Sequence, residues 1–326
     1  MIYKCLLNTL CTVIQHFIGV NRDRFRRKNY TMDNNNENNG SSRLRFSVIL
    51  LAAALICLAL YLYYFLMDRE MRKQQENVAE NVLSMREDET EQINTSETVS
   101  ATAKSEEETS SMNEEVPAYY PEVTEAQNLN PDIIGLLEYG PDSMFFVVQG
   151  IDNDFYLEHD YLGENAVEGA AMLDVRSLLS PRSVTWIIHG HNMKNGTMFG
   201  NLRYFREIDF LKENPVLTLT LPEEKQYYAI FAVLDVNVDE GEKGYFKITE
   251  FDFEDEEAYN AYTSYYIDHS YYDLPVDTRW GDDLLILSTC SYGYSNGRLL
   301  IVCRKLREGE TPDEIVKLYQ EAKFID

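Results

Sequence analysis

Cysteine is scarce in this chain of 326 residues: Cys5, Cys11, Cys57, Cys290 and Cys303 are all there are. No two of them have the spacing of a zinc site, and no set of pairs suggests a disulfide framework. Basic residues are also few, 29 Lys and Arg against 55 Asp and Glu, for a formal net charge of −26. So acidic a chain repels phosphate backbones, which argues against nucleic acid as a partner. Long apolar runs are rarer still. A single run free of charge covers 46–67, and its 22 residues are enough to cross a bilayer, which takes about 20.

That run is longer than the core of a secretory signal peptide, usually about 7–15 residues. Asp68, Arg69, Glu70, Arg72 and Lys73 follow it at once, so it reads as a retained transmembrane anchor. Eight Lys or Arg precede the run and four follow closely, which favours a cytoplasmic segment 1–45 and a single-pass protein with its bulk outside the cell. Met32 is an alternative start. Beginning there leaves only Arg43 and Arg45 ahead of the span and removes that bias.

Much of the negative charge lies just beyond the anchor. Between 74 and 125 there are fourteen Asp or Glu against Arg86 and Lys104. Residues 68–130 are rich in Glu, Ser, Thr and Asn and hold too little apolar surface to offset the entropy of ordering, so a flexible acidic stalk is expected. Composition changes near Pro131. From there to Asp326 aromatic and β-branched residues are dense, and about 195 residues make one ordinary domain.

Within 131–326, short apolar runs predict strands at 145–148, 155–157, 170–174, 183–188, 216–221, 227–236, 284–290 and 299–303. The runs at 284–290 and 299–303 are apolar on both faces, as for strands buried on both sides. Helices are predicted at 132–139 and at 255–269. The second opens on Asp255, Glu256 and Glu257, which suit a helix amino end, and repeats tyrosine at 259, 262, 265 and 266. Many short strands with little helix predict a mainly β fold, a closed or nearly closed barrel with a few peripheral helices.

Reactive side chains stand where these strands end. In the run 284–290, alternation puts Ser288 and Cys290 on one face, at the mouth of a polar turn. A thiol there is accessible and suited to nucleophilic chemistry, although Cys290 taken alone is as readily a structural cysteine. Cys303 follows Leu299-Leu300-Ile301-Val302 and reads as buried. Arg298 opens the strand after an Asn-Gly turn. If the two strands pair, Arg298 meets Cys290 at one end of the sheet and can bond a developing oxyanion; alone it is an ordinary turn arginine. His189 and His191 end the strand 183–188 and its loop, and an imidazole near a thiol is its proton partner. His-Gly-His is also half of a metal site, but no second cluster completes it and no metal or other cofactor is expected.

Three of these segments together resemble the class B sortases, membrane-anchored cysteine transpeptidases of Gram-positive bacteria. They are Gly190-His191-Asn192-Met193 running on to Gly196-Thr197-Met198-Phe199, then Leu287-Ser288-Thr289-Cys290, then Arg298 opening the next strand. Asp152-Asn153-Asp154-Phe155-Tyr156-Leu157 resembles an early strand of that family, and the helix at 255–269 resembles its long helix ahead of the cysteine. The resemblance covers about 131–326. It implies a sortase-type β-barrel in which Cys290 is the nucleophile, His191 rather than His189 the acid and base, and Arg298 the oxyanion donor. Ser288, Thr289 and Asn192 are the candidate substrate contacts. The implied partners are surface proteins with a C-terminal sorting motif, an amine of the peptidoglycan precursor and the plasma membrane. A hydrolytic cysteine peptidase, a pilin-polymerising sortase and an inactive surface binding module stay open as alternatives.

Overall fold

The structure, a computed structural model, describes residues 51–73, 76–78, 80, 82–84, 120–141, 143–291 and 296–322. The expected amino-terminal segment 1–45, with Met32, and most of the acidic stretch, 85–119, lie outside them. The chain divides into two compact units, Met1–Phe65 and Leu66–Asp326. Residues 51–65 of the first are helical, part of α1 (Leu51–Ser84), which is long and apolar enough to cross a membrane by length and composition, with a mean hydropathy of 1.9 over its most apolar 18 residues.

In the second unit eight strands close into a barrel: β1 (Ile133–Glu138), β2 (Met144–Val148), β3 (Ala171–Leu173), β4 (Thr185–His189), β5 (Val216–Thr220), β6 (Lys225–Asn237), β7 (Leu284–Ser291) and β8 (Gly297–Lys305). Around the barrel their order is β1-β2-β3-β4-β7-β8-β6-β5, as the strand-rich sequence predicts. Two pairs are parallel, β2–β3 and β4–β7. A parallel pair requires a long crossover, and the chain between β4 and β7 supplies it, with β5 and β6 on the way.

Two predicted elements differ. Residues 132–139, expected as a helix, form β1, paired to β2 on one side and β5 on the other. Ile133, Ile134, Leu136 and Leu137 are all buried. So short a run, apolar on both faces, carries no periodicity to separate helix from strand, and closure of the barrel decides. Residues 155–157, expected as a strand, form a 3-10 turn (Phe155–Leu157). Asp152 Oδ1 accepts from the backbone N–H of Asp154 and of Phe155, both at 2.9 Å, and this local capture bends the chain away from a ladder.

Helices cover the outside. α2 (Pro121–Leu129) lies within the stretch expected as stalk, with Val123 and Ala126 buried against β1. The same small cluster takes in Val78 and Val82 of α1. α3 (Ile208–Glu213) precedes β5. The predicted helix at 255–269 is α4 (Glu256–His269), capped by Asp255, whose side chain accepts from the N–H of Ala258. Its Tyr259, Tyr262 and Tyr266 join the larger core that fills the barrel. α5 (Pro312–Glu321) opens on a capping box made by Thr311 and Glu314.

Candidate active site

Every residue of β7 is buried except Cys290, so the strand carries its thiol into solvent at its last residue but one. β8 runs antiparallel beside it in the register Leu284↔Arg304 through Cys290↔Arg298 to Ser291↔Gly297. Residues directly opposite on antiparallel strands share a face, with Cα atoms about 4.5–5.5 Å apart. The thiol and the guanidinium therefore start from one spot on the barrel rim. Cys303, farther along β8, is wholly buried, and that burial pushes its thiol pKa well up.

β4 flanks β7 on the other side, and its last paired residue, His189, sits opposite Ser288. Beyond it the chain stays tied to β7. The N–H of Gly190 donates to Ser288 O at 3.2 Å, Thr289 Oγ1 donates to Gly190 O at 2.7 Å, and Asn192 Nδ2 donates to Cys290 O at 2.6 Å. His191 lies between these ties, so its loop is bonded to the backbone on either side of it. Two glycines let the loop close. A Cβ on Gly190 would stand 2.6 Å from the Phe199 ring, and one on Gly200 would stand 2.1 Å from Met193 O. Arg72 of α1 also reaches the loop tip, donating to Asn195 O at 3.1 Å.

His191 has a second neighbour, 2.9 Å from Nε2: the backbone carbonyl of Leu157. A carbonyl only accepts, so Nε2 carries the hydrogen and the neutral ring keeps its lone pair on Nδ1. The 3-10 turn that displaced the expected strand is what presents this carbonyl.

His189 is differently placed. Its Nε2 lies 3.1 Å from Asp174 Oδ2, and Asp174 also takes three hydrogen bonds from Arg176, two from the guanidinium at 2.9 and 2.7 Å and one from the backbone N–H at 3.0 Å. Burial alone would raise the Asp174 carboxyl, but the donors from Arg176, His189 and Asn153 outweigh it and hold the group below the usual carboxylate range. Ionised Asp174 then adds stability at any pH above the ordinary Asp value of about 4, and this is lost as acid drives the pH below that value. Asp174→Asn is expected to lower stability by about 2 kcal/mol at neutral pH, the worth of the charge-assisted hydrogen bonds that a buried carboxylate accepts from partly exposed donors. Thermal melts at a series of pH values should show the gap to wild type narrowing below about pH 4. A gap that stays constant down to about pH 3 would contradict the pairing.

Of the three candidate substrate contacts, Ser288 and Thr289 are buried, each 1% exposed, and Asn192 is bonded to the Cys290 backbone. Ser288 Oγ has no partner among the described residues. No group of three His, Cys, Asp or Glu that could hold a metal occurs among the described residues. Sequence reasoning missed the support behind the thiol. Arg206 Nη2 bonds both oxygens of Asp235, at 2.7 and 2.9 Å, and Ser291 Oγ at 3.2 Å, next to Cys290. No local pattern signals this set, since its members lie up to 85 residues apart.

Among known proteins, the chain is similar to sortase B of Listeria monocytogenes, with 31% identity over 183 residues, 55% of this chain and 72% of the relative. It is 23% identical to sortase B of Staphylococcus aureus over 190 residues, 57% of this chain and 75% of that one. The solved structure of Clostridium perfringens sortase B matches with a TM-score of 0.52 at 30% identity, covering 56% of this chain and 99% of that one. No family model matches the chain.

Proposed function

The chain belongs to the sortase B family of cysteine transpeptidases, and from that premise we propose that it joins surface proteins to the cell wall through a thioacyl-enzyme on Cys290. The observation that carries this reading is the register: Cys290 opposite Arg298 on β8, with the His191 loop bonded to the carbonyl of Cys290 itself.

In this reading the Cys290 sulfur, as thiolate, attacks the scissile carbonyl carbon of a C-terminal sorting signal. A C–S bond forms and the carbonyl electrons move onto oxygen, where Arg298 donates to the oxyanion. Collapse breaks the C–N bond, and the departing amine takes a proton from protonated His191. The thioester left behind is activated towards amines. An amine of the peptidoglycan precursor then attacks, giving its proton to His191, and the second collapse returns the Cys290 thiolate. Nδ1 of His191 is the nitrogen that exchanges these protons, because Nε2 donates to Leu157 O. Asn192 and Thr289 brace the His191 loop against β7, while Ser288 Oγ, buried and unpartnered among the described residues, is closed to a substrate in this conformation.

The barrel is read as lying outside the plasma membrane, single-pass and anchored through 46–67. Support comes from the excess of Lys and Arg ahead of that run and from the apolar length of α1. One experiment addresses chemistry and place together. Intact cells carrying the chain receive a membrane-impermeant sorting-signal peptide and a labelled oligoglycine amine. The expected result is an amide between the acyl half of the peptide and the labelled amine. Product formed only after lysis would put the barrel inside the cell. Free acid as the main product, even with abundant amine, would favour a hydrolytic peptidase.

A further inference from the structure

Arg298 is not left to find its own position. Its Nη1 donates to Asn296 Oδ1 at 3.0 Å and to Gly297 O at 3.1 Å. Asn296 is anchored in turn. Its Nδ2 donates to Asp239 Oδ1 at 2.8 Å, and its backbone carbonyl accepts from the N–H of Val238 at 3.3 Å. Asp239 stands two residues beyond the end of β6, where its N–H donates to Asn237 Oδ1 at 2.9 Å. Carboxylate, amide and guanidinium thus form a chain from the end of β6 to the residue opposite Cys290. A guanidinium only donates and a carboxylate only accepts, so the amide of Asn296 has one serviceable orientation, oxygen to Arg298 and nitrogen to Asp239.

We propose that Asp239 and Asn296 are positioning residues, which hold one arm of Arg298 so that its remaining N–H groups are already in place when the oxyanion forms at Cys290. The proposal rests on the reading of Arg298 as oxyanion donor. The physical reason is preorganisation: a donor lowers the barrier most when it needs no reorganisation as charge develops. Arginine suits this, because its fork is planar and fixing one nitrogen orients the others. Neither Asp239 nor Asn296 needs to touch the substrate.

The test uses the full chain in detergent, with triglycine as amine and the internally quenched peptide that the wild type cleaves fastest in a positional-scanning library. Arg298→Ala is the reference and is expected to lower kcat by about 10²–10³-fold, as for loss of an oxyanion donor. Asn296→Ala and Asn296→Asp are expected to lower kcat by roughly tenfold to a hundredfold with little change in KM, the size of effect that misplacing a catalytic group produces. Asn296→Asp also sets two carboxylates against each other. The double variant Asp239→Asn/Asn296→Asp reverses the polarity of the chain, with a carboxylate at 296 to accept from Arg298 and an amide at 239 to donate to it. It should recover most of the lost kcat, a recovery that general loosening of the turn does not predict. If Arg298→Ala is impaired while both Asn296 variants keep wild-type kcat, the positioning role is refuted and Arg298 keeps its own. A double variant that is folded and as slow as Asn296→Asp refutes it as well. Full kcat in Arg298→Ala would instead overturn the reading of Arg298, and the positioning role with it.

Discussion

Cys290→Ala is expected to abolish both peptide cleavage and the thioacyl adduct, while Cys303→Ala keeps most of the activity. The two cysteines differ in surroundings more than in chemistry. Cys290 is the exposed residue of an otherwise buried strand, opposite Arg298 and bonded through its carbonyl to the His191 loop. Cys303 is wholly buried in β8, where its thiol is held protonated by burial. No other group described at the rim replaces the lost C–S bond, so the first change removes the covalent route entirely. The second removes one buried atom and should cost roughly 1 kcal/mol of stability, comparable to deleting a buried methylene. Mass spectrometry of the enzyme trapped with substrate, beside a transpeptidation assay and a melting curve, separates the two. Transpeptidation surviving in Cys290→Ala would end the assignment of the nucleophile.

The histidines should divide in a similar way. His191→Ala is expected to lower kcat/KM by about 10²–10⁴-fold, the usual worth of general acid–base help. His189→Ala should cost much less in rate and show its effect in the melting temperature, because it withdraws one of the donors on buried Asp174. The alternative is that His189, one residue from the loop, serves the chemistry. Equal losses of rate in two folded proteins would support that alternative and remove the distinction drawn here. The geometry runs against it: His189 is bonded to a buried carboxylate, whereas the loop of His191 is bonded to the backbone of Cys290.

What the chain order makes legible depends on the range of the interaction. The apolar runs of β4, β7 and β8 announce themselves, and each carries a reactive side chain at one of its ends or just past it, which makes Cys290, His189, His191 and Arg298 candidates; the choice of Cys290, Arg298 and His191 over His189 came from the resemblance to class B sortases. Alternation also places Cys303 in the interior, and the tyrosine spacing of α4 marks its buried face. The failures are as specific. Residues 132–139 have helical composition at their ends and apolar residues throughout, and only pairing with β2 and β5 makes them a strand. The run 155–157 has β-forming residues, yet Asp152 turns it into the feature that presents the Leu157 carbonyl to His191. Asn192 is conspicuous as a polar residue beside the histidine, but its amide is committed to Cys290, 98 residues away.

Composition and period-two patterning act within a few residues, and they were enough to set the cast. That cast is one apolar run long enough to cross a membrane, a strand-rich domain, and a thiol, an imidazole and a guanidinium at strand ends. The pairings among its members came from the folded barrel. Cys290 faces Arg298 across one ladder, His191 commits Nε2 to the Leu157 carbonyl, and Asp239 and Asn296 stand behind Arg298. Each of these is a register or a hydrogen bond set by closing the barrel, and a shift of one residue in any ladder would turn the same side chains to opposite faces.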